Sequence, residues 1–363
     1  MTTITITQTF TSKTRNAGGG GGIPPSNTVA PVISGTAVVG QTLSSTTGTW
    51  TGTPIPTYTY QWKRNGSNIV SATSSTYTLV QADATFAITC AVTAINIAGS
   101  AEATSNSLTI TDADAQAFFT ASGLTGATNL TAINNLVVAL KGFGIWTKMK
   151  AIYPMIGGTA ALHKWNLKDP QDTNAAFRLV FNGGWTHSAT GALPNGTNAW
   201  ANTFLGTNVM SLNSIHLSYY SRTNNTSGTV EMGVLKSTPN SYTDLGVGYL
   251  TNGAFTRLNN GGGAPFVANA GSNGFFQGNR IISSTTKLYK NGISIQTLTD
   301  TSSATTTFPI SIGAQNNIDT GTKNFYSDKQ CAFATIGDGL TDTEAANFYT
   351  AVQAYQTTLS RQV

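Results

Sequence analysis

Threonine fills 61 of the 363 positions, about one in six. A side chain branched at Cβ loses rotamer freedom in a helix and packs well on a pleated sheet. A chain this rich in threonine is predicted to be built mainly from strands, with its 38 glycines serving turns. Charged residues make up 9%, against about 25% in an ordinary soluble domain. Hydrophobic residues, at 39%, suffice for packed cores. These values exclude a highly charged disordered chain. The glycines have no three-residue period, which excludes collagen. Two cysteines, Cys90 and Cys331, exclude a disulfide scaffold. No run of 18 apolar residues occurs, so no membrane insertion is expected. The net charge of +5 comes from Lys and Arg scattered singly, apart from Lys63-Arg64. Without a basic stripe, nucleic acid is not an expected partner. The length allows two domains.

Residues 1–28 read as a β-arm on a tether. Ile4, Ile6 and Phe10 share one parity, as in a strand, and Gly18 to Gly22 and Pro24-Pro25 follow. A lone strand is not stable. Ile4, Ile6 and Phe10 are therefore predicted to anchor the chain by pairing with its own sheet, a sister subunit or a larger assembly. A disordered tail is the alternative. The first residues carry no basic stretch followed by an apolar one, so no secretory signal is expected.

Residues 29–111 hold short alternating segments: Val32–Ser34, Thr42–Ser45, Tyr58–Arg64, Thr76–Leu79, Thr85–Ala94 and Ser107–Ile110. Asn65-Gly66 signals a tight turn. About seven short strands in this length predict a sandwich. The run from Pro31 to Leu43, then Gly48-Thr-Trp50, Tyr58-Thr-Tyr-Gln-Trp62 and Ser75-Thr-Tyr-Thr-Leu79, resembles a bacterial or phage immunoglobulin-like domain. Ala94 to Ser100 resembles that family's last hairpin. The resemblance implies that Trp62 is the core tryptophan and that Cys90 stands at the second core-cysteine position. Leu43 lies roughly at the first, so apolar packing would replace a disulfide. Such a departure suits assembly in a reducing cytoplasm.

Residues 112–363 are predicted to form the second domain. Helices are expected over about 113–120, 129–141 and 342–358. The last is announced by the capping box Thr341-Asp-Thr-Glu344. Between them lie strand-like segments at Phe177–Phe181, Ser214–Tyr220, Thr229–Leu235, Asn279–Ile282, Thr286–Tyr289, Ser294–Leu298 and Phe308–Ile312. Asn291-Gly292 marks a hairpin. Leu288-Tyr-Lys-Asn-Gly-Ile293 and the segment from Phe333 to Thr341 resemble the concanavalin A-like, laminin-G-like jelly-roll superfamily. The stretches Ile145–Pro154, His163–Pro170 and Gly183–His187 resemble a domain carried by phage structural proteins. The expected fold is thus mainly β, an immunoglobulin-like sandwich plus a jelly roll with a few peripheral helices.

Hydrolases of this superfamily need two carboxylates about 5–10 Å apart. The chain has only Glu102, Glu231 and Glu344, and no Glu-x-Asp-x-x-Glu strand, so no catalytic residues are assigned and no enzyme is expected. His163, His187 and His216 form no short ligand pair and read as structural or surface residues. Calcium is the candidate cofactor, with Asp169, Asp172 and Asp319 as candidate ligands in two Asp/Asn clusters. Sugar binding needs aromatic faces beside amide and carboxyl groups. Trp165, Trp185 and Trp200, with Asn198, Asn225 and Asn260 on Asn/Gly-rich loops, are the candidate ligand-binding residues. Tyr219, Tyr220, Phe275 and Phe276 lie in similar segments, and each also fits a core.

These features imply a non-enzymatic phage virion protein, a surface fibre or capsid or tail decoration subunit. Its arm would join other virion proteins, and its jelly roll would bind host-surface or environmental glycan. The resemblance implies a homo-oligomer, such as a trimer, on the virion surface. The alternatives are a bacterial surface adhesin and, behind it, a glycan-degrading enzyme.

Overall fold

The computed structural model describes residues 21–249, 253–263, 266–268 and 271–363. The anchor residues Ile4, Ile6 and Phe10 lie outside them. The chain divides into two compact units. The first comprises residues up to Ala37, Gln41–Leu79 and Phe86–Thr109. The second takes in Val38–Gly40, Val80–Thr85 and Ile110–Val363.

The first unit is a small sandwich. Thr57–Arg64 pairs with Ala87–Asn96, which also pairs with Gly99–Thr104 and Leu108–Thr109. A second sheet sets Thr42–Ser45 between Ile33–Ser34 and Thr76–Thr78. Trp62 stands opposite Cys90 in register, and Leu43 rises from the other sheet. All three are fully buried. Trp62 packs on Tyr77 at 5.6 Å between ring centroids and donates its Nε1–H to Ser74 O at 2.9 Å. Cys90 is a free thiol. Asn65 and Gly66 both have positive φ, 44° and 81°, the geometry a two-residue hairpin turn requires. One expectation changes here. Residues 23–28 are not tether: Ile23–Val29 is a strand paired antiparallel with Thr49–Thr53. Pro24 and Pro25 are tolerated because this is an edge strand, where missing donors cost little.

The second unit is layered. An eight-stranded sheet has Cys331–Gly337, Ile215–Ser221 and Gly274–Ile282 at its centre. A nine-stranded sheet has Pro309–Ile312, Met232–Ser237, Asn240–Tyr249 and Gly253–Asn260 in sequence across its middle. Leu217, Tyr219, Phe276 and Ile336 from the first sheet meet Met232, Val234, Leu245 and Leu258 from the second. The opposite face of the eight-stranded sheet presents Tyr220, Phe275 and Phe333 to the helices Ala113–Ser122, Ala127–Gly142 and Asp342–Thr358. Strand side chains alternate between faces. The dipeptides Tyr219-Tyr220 and Phe275-Phe276 therefore place one ring in each core, and none of the four is exposed.

The last helix starts as expected. The Thr341 hydroxyl accepts from the Glu344 N–H, and the Glu344 carboxylate accepts from the Thr341 N–H. Phe348, Val352 and Tyr355 face the core. The segment Phe177–Phe181 differs from expectation. Thr173 caps a short 3₁₀ turn at Asn174–Ala176, Phe177 closes it at φ 59°, and only Val180–Asn182 is strand.

Candidate functional site

The residues singled out from sequence fall in several places. Trp165 is 8% exposed, lies in the helix-side core and is covered by Lys164, whose Nζ stands 5.1 Å from the ring centroid. It offers no stacking face, a correction to the expectation. Trp185 and Trp200 come together, because Trp185 Nε1–H donates to Asn182 O at 3.0 Å and Trp200 O at 3.4 Å. Both are half-buried, and Lys323 Nζ stands over the Trp200 ring at 4.2 Å. Asn198 belongs to the same corner, where its Oδ1 accepts from Gly184 N and Asn195 Nδ2. Asn225 donates to Asp328 and Asn260 donates to Asp300. Asn260 is 4% exposed, so its amide serves the fold rather than a ligand, which corrects that expectation too.

The calcium candidates are already engaged. Asp172 accepts from Lys164 at 2.6 Å and Arg178 at 2.7 Å, and these cations hold its carboxyl below the usual range. Asp169 accepts from Gln171, and Asp319 accepts from the Ser237 N–H. Among the described residues no three His, Cys, Asp or Glu converge as a metal would require. The histidines are structural in two cases. His216 is buried between Asp338 O and Thr335, and burial pushes it down to about 4. His163 shares one proton with His187 across 2.9 Å between their Nδ1 atoms. Burial, then His187 and Arg361, push His163 down to about 3.

A different place combines the chemistry. The outward side of the nine-stranded sheet carries a cleft of about 200 Å³. Its floor follows from strand periodicity. Along Asn240–Tyr249, residues 243, 245 and 247 turn away from this side, leaving Tyr242, Asp244 and Gly246 on it. On the adjacent strand Gly253–Asn260, Phe255 and Arg257 share the same side. Arg257 Nε donates to Asp244 Oδ1 at 2.9 Å, and its Nη2 also donates to the same carboxylate. Gln315 Nε2 adds a third donor at 2.6 Å. A bidentate Arg–carboxylate pair fixes both partners in one plane.

Gly246 makes room for the aromatic wall. A Cβ there would lie 2.2 Å from Phe255 Cε1, so the ring can settle only over a glycine. Phe266 closes edge-on against Phe255 at 5.3 Å. Phe325 also lines the cleft, held at φ 53°, with its carbonyl accepting from the Val230 N–H at 3.0 Å. A left-handed conformation at a bulky residue is strained and survives only where its surroundings impose it. Phe266 and Phe325 are 48% and 45% exposed. The cleft thus combines aromatic rings with a hydrogen-bonded guanidinium–carboxylate–amide cluster. Sequence reasoning missed it. The available signal was the i, i+2 pairing of Tyr242 with Asp244 and of Phe255 with Arg257.

The three glutamates occupy separate stations. Glu102 pairs with Lys63 in the first unit, and Glu344 caps a helix and pairs with Lys148. Glu231 is fully buried, 3.6 Å from Lys329, and burial pushes its carboxyl up despite that cation.

No protein-family model and no curated protein matches the chain. Solved structures with partial likeness include domain 4 of AbnA, a GH43 extracellular arabinanase from Geobacillus stearothermophilus, in complex with arabinotriose. It is 15% identical, with a TM-score of 0.36, over 55% of this chain and 98% of that one. The binding domain of Paraclostridial Mosquitocidal Protein 1 is 11% identical, with a TM-score of 0.38, over 57% of this chain and 53% of that one. A botulinum neurotoxin type C structure, whose cell entry depends on two ganglioside molecules, is 13% identical with a TM-score of 0.36. It is matched over 51% of this chain and 50% of its own. The chain spans about half the length of these two toxin chains.

Proposed function

We propose that this chain is a non-enzymatic carbohydrate-binding protein that acts by display, and that its ligand seat is the Tyr242–Phe255–Arg257 cleft. The observation that carries this reading is the pairing of partly exposed aromatic rims, Phe266 and Phe325, with a polar floor of Arg257, Asp244 and Gln315. Sugars present C–H faces that pack on rings and hydroxyls that need fixed donors and acceptors. At about 200 Å³ the cleft is smaller than the ~300–1,000 Å³ of drug-sized sites, which suits one sugar ring of a chain. Weak single sites gain 10²–10⁴-fold when many copies are linked.

The carrier is a phage particle in this reading, with the arm carrying Ile4, Ile6 and Phe10 as its attachment and the first unit as a spacer. Support comes from the order of modules along the chain, an immunoglobulin-like sandwich before a jelly roll. A multivalent glycan array of the full chain, run beside Phe325→Ala, tests the binding. Binding that Phe325→Ala abolishes supports the cleft, and no binding by either form overturns the reading. Deleting residues 1–22 tests the carrier: the protein should vanish from purified particles, and retained incorporation removes the anchor role.

A further inference from the structure

We infer that one end of the first unit is an interface between copies of this chain, formed by an uncharged isoleucine tip. Three segments converge there: the start of strand Ile23–Val29, the turn between Thr49–Thr53 and Thr57–Arg64, and the turn between Ala87–Asn96 and Gly99–Thr104. Asn96 ties them, donating its Nδ2 hydrogens to Ile23 O at 2.8 Å and Pro54 O at 3.0 Å. Gly22 lies against the third segment, since a Cβ there would stand 3.5 Å from Ile97 Cγ1. Two carbonyls of the tip are thus satisfied internally, and its isoleucines turn outward beside the uncharged, exposed Ser26, Thr53, Thr57 and Ser100.

Ile55 is 87% exposed, Ile97 83%, Ile23 58% and Ile95 43%. Four exposed isoleucines on three adjoining segments form a patch, unlike single exposed apolar residues, which are ordinary. Residues 21–26, 52–58 and 94–101 contain no charged side chain. A charged partner surface would find nothing to pair with here. An identical uncharged surface meets no like-charge repulsion, and symmetric self-association places the same patch on both sides.

The chain that precedes Gly21 supports the same occupant. Twenty residues lead into this tip, including the strand pattern at Ile4, Ile6 and Phe10 and the glycines from Gly18. Copies joined at the tip thus bring two segments of this same sequence to neighbouring roots, where a strand pattern that is unstable alone would find a partner. The glycan reading stands or falls separately, because the cleft lies in the second unit.

The test is sedimentation velocity of the full chain at high micromolar concentration, beside Ile55→Lys with Ile97→Lys. The unmodified chain should sediment as a discrete multimer, and the double variant as a monomer with an unchanged melting temperature. Removing residues 1–20 with the tip intact should weaken association without abolishing it. An unmodified chain that is monomeric overturns the inference. So does a double variant that keeps the multimer, or an arm deletion that alone gives monomers. Recovery of a monomeric chain on phosphatidylcholine vesicles, lost in the double variant, would assign the tip to a lipid surface instead and also overturn it.

Discussion

Arg257 sits over Tyr242, its guanidinium carbon 4.0 Å from the ring centroid. The same guanidinium donates to Asp244, so its position is set by two partners. A cation over an aromatic face contributes about 0.5–2 kcal/mol. Tyr242→Ala would free Arg257 to swing and would remove part of the cleft floor. Glycan binding should fall about tenfold, equivalent to about 1.4 kcal/mol, in a titration of the multivalent protein. Phe325→Ala should lower binding by at least as much. Phe325 is 45% exposed, so that variant should lower the melting temperature only slightly.

Gly246→Ala addresses the wall rather than the floor. The new methyl would sit 2.2 Å from Phe255 Cε1, so the ring must tilt away from the sheet. Overpacking of this kind costs about 1–3 kcal/mol. Binding should be lost together with a measurable drop in urea midpoint. If binding survives the tilt, the ligand does not use the Phe255 side of the cleft.

Local turn and cap rules and the aliphatic core were legible in the sequence, and the burial of Trp165 and Asn260 was not. Asn65-Gly66 and Asn291-Gly292 make the turns their composition demands, because few other pairs accept two positive φ angles. Thr341 and Glu344 start a helix where the capping box stands. Leu43, Trp62 and Cys90 are core as the resemblance implied. The arm-to-sheet boundary was misplaced because Pro24-Pro25 reads as a breaker, although an edge strand tolerates it. Trp165 was misjudged because a tryptophan among polar residues looks exposed, while its long-range partners in the helix-side core are invisible in sequence. The cleft was missed because its members come from residues 230 to 325, brought together only by sheet order.

Glu231 and Lys329 make a buried pair whose worth is conditional. Thr229 Oγ1 lies 2.6 Å from both the Lys329 Nζ and a Glu231 oxygen, and the Val247 N–H donates to the other oxygen at 2.6 Å. Removing one member of such a pair leaves a buried charge, at a cost of about 3–5 kcal/mol. Lys329→Met alone should therefore lower the urea midpoint strongly. Adding Glu231→Gln should restore a substantial part, since a neutral amide needs no counter-charge. A double variant no better than the single would mean that the ammonium group is needed for the Ser227 and Asp328 contacts rather than for Glu231.

Acid should weaken the second unit through its buried histidines. Burial pushes His216 down to about 4 and His163 down to about 3, so both are neutral in the folded chain. In the unfolded chain each takes a proton near pH 6.5. Between that value and the folded one the unfolded state binds more protons, so stability falls as pH falls. The contribution is fully present above about pH 6.5. It declines by up to about 1.4 kcal/mol per pH unit for each histidine, down to the folded values. Asp112 acts in the same direction lower down, because Lys141 and Gln81 outweigh its burial and depress its carboxyl. Melting temperature should thus be level from pH 8 to about 6.5 and then drop steadily toward pH 4. His216→Gln should flatten part of that drop while lowering stability at neutral pH, because the amide cannot reproduce both hydrogen bonds to Thr335 and Asp338 O. A profile level down to pH 5 would show that neither imidazole is held neutral by burial.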